Sequence, residues 1–141
     1  MSYELEKSIG FKINQTANKI NSKYNQLLQN YEIAPEQRAT LEIIKYEKDV
    51  NQTKIATILG KDKTTISRTL NTLENKGFIK KSQKDKRTNL IEITQKGEDI
   101  LNNSSACVKE FRANLISNLN KEELEKLIFL LEKVAFNAEE K

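Results

Sequence analysis

The chain has 141 residues, 37% hydrophobic and 31% charged, with one Pro and four isolated Gly, which fits one domain with its own core and excludes a low-complexity tract or a disulfide scaffold. It contains no His and a single Cys, Cys107, so a Ser-His-Asp triad, a Cys-His dyad or a zinc site of His and paired Cys cannot be assembled within it. The net charge is +4, and neither GxGxxG nor a phosphate-binding GxxxxGK loop occurs. The longest apolar run, Leu127 to Leu131, is far too short to span a membrane, and the start MSYELEKS lacks a basic, apolar signal, so a cytoplasmic location is expected. No catalytic residue, cofactor or metal ligand is assigned, and the chain is not expected to be an enzyme.

From Tyr3 to Tyr31 apolar residues recur every three or four positions without a Pro, which predicts one long amphipathic helix with more apolar stripe than a small domain covers by itself. Pro35 suits the first turn of a second helix that runs through Leu41 and Ile44. Asn51 can cap a third helix carrying Ile55, Ala56, Ile58 and Leu59 and stopped by Gly60. Asp62 can cap a fourth that reaches Lys76 and ends at Gly77. In that fourth helix Ile66, Leu70 and Leu73 point inward, which leaves Lys63, Thr64, Thr65, Ser67, Arg68 and Asn71 outward. Phe78 to Lys81 and Leu90 to Ile93 read as two short strands around a charged loop over 82–88. Thr94 can cap a fifth helix through Leu115, and Asn120 with Glu123 forms a capping box for a sixth. The sixth carries Leu124, Leu127, Ile128, Leu131 and Val134 on one stripe and Phe129, Leu130 and Phe136 on others, a distribution that predicts burial against a second copy of the chain.

Charge is concentrated in the middle. Between Lys54 and Arg87 there are ten basic residues (Lys54, Lys61, Lys63, Arg68, Lys76, Lys80, Lys81, Lys84, Lys86, Arg87) against three acids (Asp62, Glu74, Asp85), the footprint expected for a polyanionic partner. A helix, a tight Gly-Lys-Asp turn, a second helix and a basic hairpin, in that order, describe a winged helix-turn-helix. Its second helix can enter the major groove of double-stranded DNA. There Arg68 can donate two parallel hydrogen bonds to a guanine edge, Asn71 can pair with adenine, and Thr64, Thr65 and Ser67 can touch bases or phosphates. Lys54, Lys61, Lys63, Lys80, Lys81, Lys84 and Lys86 suit phosphates, the alternative for each being a solvated surface lysine. At the hairpin tip Arg87 suits a narrow minor groove, with Asp85 beside it to aim the guanidinium or simply to stiffen the loop.

The stretch IATILGKDKTTISRTLNTLENKGFIKK (55–81), followed by DKRTNLIEITQKGEDIL (85–101), resembles the helix-turn-helix and wing of the MarR (multiple antibiotic resistance regulator) family of bacterial transcription factors. The resemblance extends more loosely over the whole chain. It implies a mainly α fold with a small β-hairpin wing, in which residues 1–32 and 98–141 are dimerisation helices and 33–97 the DNA-binding winged helix-turn-helix. It implies Arg68 and its neighbours, with Asp85 and Arg87, as DNA-binding residues, a homodimer that represses from a pseudo-palindromic operator, and a small anionic or aromatic effector as a further partner. No effector pocket is assigned: Tyr24, Tyr31, Arg38 and Arg112 could line one, but such residues usually pack or pair. Cys107, among Ala106, Val108 and Phe111, reads as a small buried hydrophobe rather than a sensor. A different class stays open, a winged-helix protein-interaction module without specific DNA binding.

Overall fold

In a computed structural model of the protein, residues 4–83, 85 and 89–139 are described. The elements are α1 (Glu4–Lys7), α2 (Ile9–Leu28), a 3-10 turn (Gln29–Tyr31), α3 (Pro35–Tyr46), α4 (Gln52–Leu59), α5 (Lys63–Asn75), β1 (Ile79–Gln83), β2 (Asn89–Ile93), α6 (Gln95–Leu115) and α7 (Lys121–Glu139). This is the mainly helical, winged helix-turn-helix architecture read from the sequence. The chain divides into two compact units, residues up to 106 and from 107 onward.

The expected single first helix is interrupted at Ser8. Its backbone turns extended (ψ 124°), and its hydroxyl accepts from the Phe11 N–H (3.4 Å), so α2 starts afresh with its own cap. The far end of α2 tightens into the 3-10 turn, and Glu32 then takes a left-handed conformation (φ 56°) that redirects the chain into α3. Ala34 before Pro35 has no side-chain acceptor to offer. Instead the Gln37 carboxamide oxygen reaches back to the Ala34 N–H (3.1 Å).

The caps at Asn51 and Asp62 form as expected, accepting from Lys54 N–H (2.8 Å) and Thr65 N–H (2.7 Å). Gly60 turns left-handed (φ 66°) between α4 and α5, where a side chain would be strained. Leu41, Ile55, Ile66, Leu70 and Leu73 are the fully buried centre of the first unit, joined by Leu28, Ile44, Val50, Phe78 and Ile79. The antiparallel strands are longer than their sequence suggests. Ser82 and Gln83, expected in the loop, pair with Leu90 and Asn89.

In the second unit the capping box of α7 is present, Asn120 N–H donating to Glu123 (3.0 Å) and Glu123 N–H to Asn120 (2.8 Å). None of the residues of α7 is buried, and its large apolar side chains from Leu127 to Phe136 stand 36–64% exposed.

Candidate nucleic-acid interface

The first turn of α5 is held from two sides. Asp62 caps it from below, and Gln52 of α4 donates through Nε2 to the Lys63 carbonyl (2.8 Å). The Thr65 backbone N–H, helped by its hydroxyl and by the charge of Arg68, keeps the Asp62 carboxyl below its ordinary range. The cap is thus fully ionised at neutral pH, and the stability it adds is lost only as the solution falls below the ordinary carboxylate range.

Lys63, Thr64, Arg68 and Asn71 are exposed on the outer face of α5, as the spacing predicted. Thr65 and Ser67, expected to face outward with them, are half-buried on the helix flanks, because 100° per residue turns them toward the neighbouring elements. Among the described residues neither Lys63 nor Arg68 is in a close ion pair; Arg68 interacts only at longer range with the Asp62 carboxylate, and Lys63 stands at the first position of the helix.

Most of the surrounding lysines are differently placed. Lys54 turns back to donate to the Lys48 carbonyl (2.8 Å) and lies 3.6 Å from Glu47. Lys61 lies 3.9 Å from Glu36, Lys80 3.7 Å from Glu92, and Lys81 3.6 Å from Glu74. Lys81 also reaches the Asn71 side-chain oxygen (3.5 Å), linking the base of the wing to the outer face of α5. Lys76 donates to the Glu32 carbonyl (2.9 Å) and to Gln37 (3.2 Å). Sequence reasoning missed Glu36, Glu32 and Gln37 because they come from elements remote in sequence, and missed Glu47, Glu74 and Asn71 because the turns between them and their lysines break any helical spacing. Asp85 is exposed at the tip of the hairpin, while Lys84, Lys86 and Arg87 lie outside the described residues.

Arg38, weighed above as the lining of an anion pocket, is 4% exposed and already engaged. Its Nε donates to the Ser104 hydroxyl (2.8 Å), one terminal nitrogen donates to the Leu101 carbonyl (3.1 Å), and the other pairs with Glu42. It joins α3 to α6 and has no fork left for a ligand. A cleft of about 450 Å³ does open beside α5, lined by Gln52, Leu70, Lys81, Ser82, Gln83, Asn89 and Ile91.

Residues 33–88 match the model of the MarR family, a span that runs from the start of α3 across the helix-turn-helix into the wing. A MarR/EmrR family transcriptional regulator from Acinetobacter sp. ADP1 is 27% identical over 96% of this chain and 98% of its own, with a TM-score of 0.89. A mutant MarR from E. coli complexed with operator DNA is 25% identical over 94% of this chain and 99% of its own, with a TM-score of 0.83. The S. aureus MepR–DNA complex shares the fold at a TM-score of 0.86 and 24% identity, covering 95% of this chain and 99% of that one. Residues 33–88 are thus similar to the MarR family, and the chain shares the winged-helix fold of transcriptional regulators of that family.

Proposed function

We propose that this protein is a sequence-specific, double-stranded DNA-binding repressor that acts as a homodimer on a pseudo-palindromic operator. The observation that carries the reading is the outer face of α5, where Lys63, at the capped N-terminal end of the helix, is followed by Thr64, Arg68 and Asn71, all exposed. Arg68 has the fork geometry for a guanine edge, Asn71 an amide for a second base, and Lys63 a point charge for phosphate. The proposed interface keeps Lys54, Thr65, Ser67 and Asp85 at its margins. Lys84, Lys86 and Arg87 complete it by sequence alone. Residues 1–32 and 98–141 would form the dimer, which the exposed apolar side chains of α7 support. Two copies would set their α5 helices about one DNA turn apart, ~34–36 Å. Release by a small anionic effector fits the cleft beside α5, since a ligand there would touch the helix and the wing together.

The test is fluorescence anisotropy with a fragment from upstream of the protein's own gene and a scrambled duplex, over a range of salt concentrations. Preference for the native fragment is expected. Arg68→Ala should abolish most of that preference, at a cost of about 1–3 kcal/mol, whereas Lys63→Ala should weaken both duplexes alike and reduce the salt slope by about 0.9. Absence of binding to either duplex at low salt would favour the protein-interaction module.

A further inference from the structure

The interior contacts of α5 do not by themselves fix how the helix is rotated. Ile66, Leu70 and Leu73 are buried, but apolar attraction is non-directional, so hydrogen bonds and ion pairs define the rotation more sharply than burial does. The consequence outside is large. A rotation of ~20° carries a side-chain tip ~6 Å from the axis through about 2 Å, enough to lose a bidentate hydrogen bond.

One flank of α5 adds direction along its length to the hold that Gln52 and Asp62 have on its first turn. Thr65, Thr69, Thr72 and Lys76 follow each other at steps of four, three and four, so they lie on one stripe, and all four are half-buried. That stripe faces the junction between α2 and α3. The Thr69 hydroxyl lies 3.2 Å from Glu36 Oε1, in the first turn of α3, and 3.2 Å from the Thr65 carbonyl of its own helix, so its one hydrogen is shared between the two. Two helical turns further on, Lys76 Nζ donates to the Glu32 carbonyl (2.9 Å) and to Gln37 Oε1 (3.2 Å), the same oxygen that accepts from the Ala34 N–H. The other oxygen of Glu36 lies 3.9 Å from Lys61 in the turn before α5. Two directional attachments seven residues apart on a single stripe leave the helix no free rotation.

We infer that Thr69 and Lys76, gripped by Glu36, Gln37 and the Glu32 carbonyl, are positioning residues that set the rotation of α5 and thereby the discrimination between operator and other DNA. Neither lies on the outer face with Arg68 and Asn71. The inference rests on the DNA-binding reading above. It makes the α2–α3 junction, which contains no proposed DNA contact, a determinant of sequence preference.

The experiment compares the wild type with Thr69→Val, Lys76→Met, the double variant and Thr69→Ser. Each is titrated against the duplex that the wild type enriches from a randomised library and against a scrambled duplex, with thermal unfolding in parallel. The double variant should lose about tenfold in the ratio of the two affinities, the scale of one misplaced bidentate contact. The loss should fall on the enriched duplex, with scrambled-duplex affinity, salt slope and unfolding temperature near those of the wild type, and Thr69→Ser should retain the ratio. Should the double variant not fold, Thr69→Val carries the comparison, because it exchanges one oxygen for a methyl carbon. An unchanged ratio, or equal losses on both duplexes, would overturn the inference while the wild type still selects its sequence. A wild type that enriches no sequence would instead overturn the DNA-binding reading, and this inference with it.

Discussion

Arg38 brings a permanent charge into a site only 4% exposed, which is tolerable because its donors meet Ser104, Leu101 and Glu42. Ser104 is itself fully buried, so Ser104→Ala leaves the Arg38 Nε–H without an acceptor and should cost about 1–3 kcal/mol. Arg38→Met should cost about 2 kcal/mol, less than a fully buried pair would, because the side chain of Glu42 is 28% exposed and can rehydrate. Urea unfolding measures both. The sequence made Arg38 conspicuous but could not show two of its three partners, since Leu101 and Ser104 lie more than sixty residues away, whereas Glu42 is one turn on along α3. Asp62 and Asn51 were legible for the opposite reason, because a cap acts on a backbone N–H three residues ahead.

At the level of elements, the periodicity of apolar residues locates the helices from α3 onward and joins α1 and α2 into one, and the glycines and caps locate most ends. Ser8 was missed because α1 continues the apolar spacing into α2, and only the backbone at the cap reveals the break. The wing was found as a hairpin but measured short, since Ser82 and Gln83 have little strand preference and pair only because Leu90 and Asn89 sit opposite. What holds the wing to the helices is a small joint. Thr94 donates to the Gly77 carbonyl (2.6 Å) and accepts from the Gly97 N–H (3.1 Å) at the start of α6. A Cβ on Gly97 would lie 2.3 Å from the Phe78 carbonyl oxygen and 2.7 Å from Ile93. Both neighbours belong to the hairpin base, and the backbone one cannot swing aside. Gly97→Ala should therefore cost about 3 kcal/mol by urea unfolding and shift amide signals across both strands.

For the molecule as a whole, the feature that bears on the proposed dimer is α7. Ile128 and Leu131, one turn apart, are 49% and 43% exposed in the single chain. Under the proposed dimer, light scattering should give twice the chain mass at micromolar concentration, and Ile128→Asp with Leu131→Asp should return the monomer. The monomer should then bind an operator at least a hundredfold more weakly, because two linked half-sites become independent events. A wild type that is monomeric at micromolar concentration would sink the dimer. The exposed apolar faces of α7 were readable in the sequence, since its large apolar residues are spread over several sides of the helix.

The paired lysines bear on how binding responds to the medium. A phosphate that takes Lys54, Lys61, Lys80 or Lys81 must displace Glu47, Glu36, Glu92 or Glu74. As the DNA gives up a condensed cation, the evicted carboxylate recruits one, and the net exchange of ions at that contact is close to nil. The surface thus behaves as an ion exchanger already loaded with its own counter-charge. Its salt slope should report Lys63, Arg68 and the wing rather than the full basic block, at ~0.9 for each such contact, so that binding persists as ionic strength rises where a bare cluster of lysines would let go.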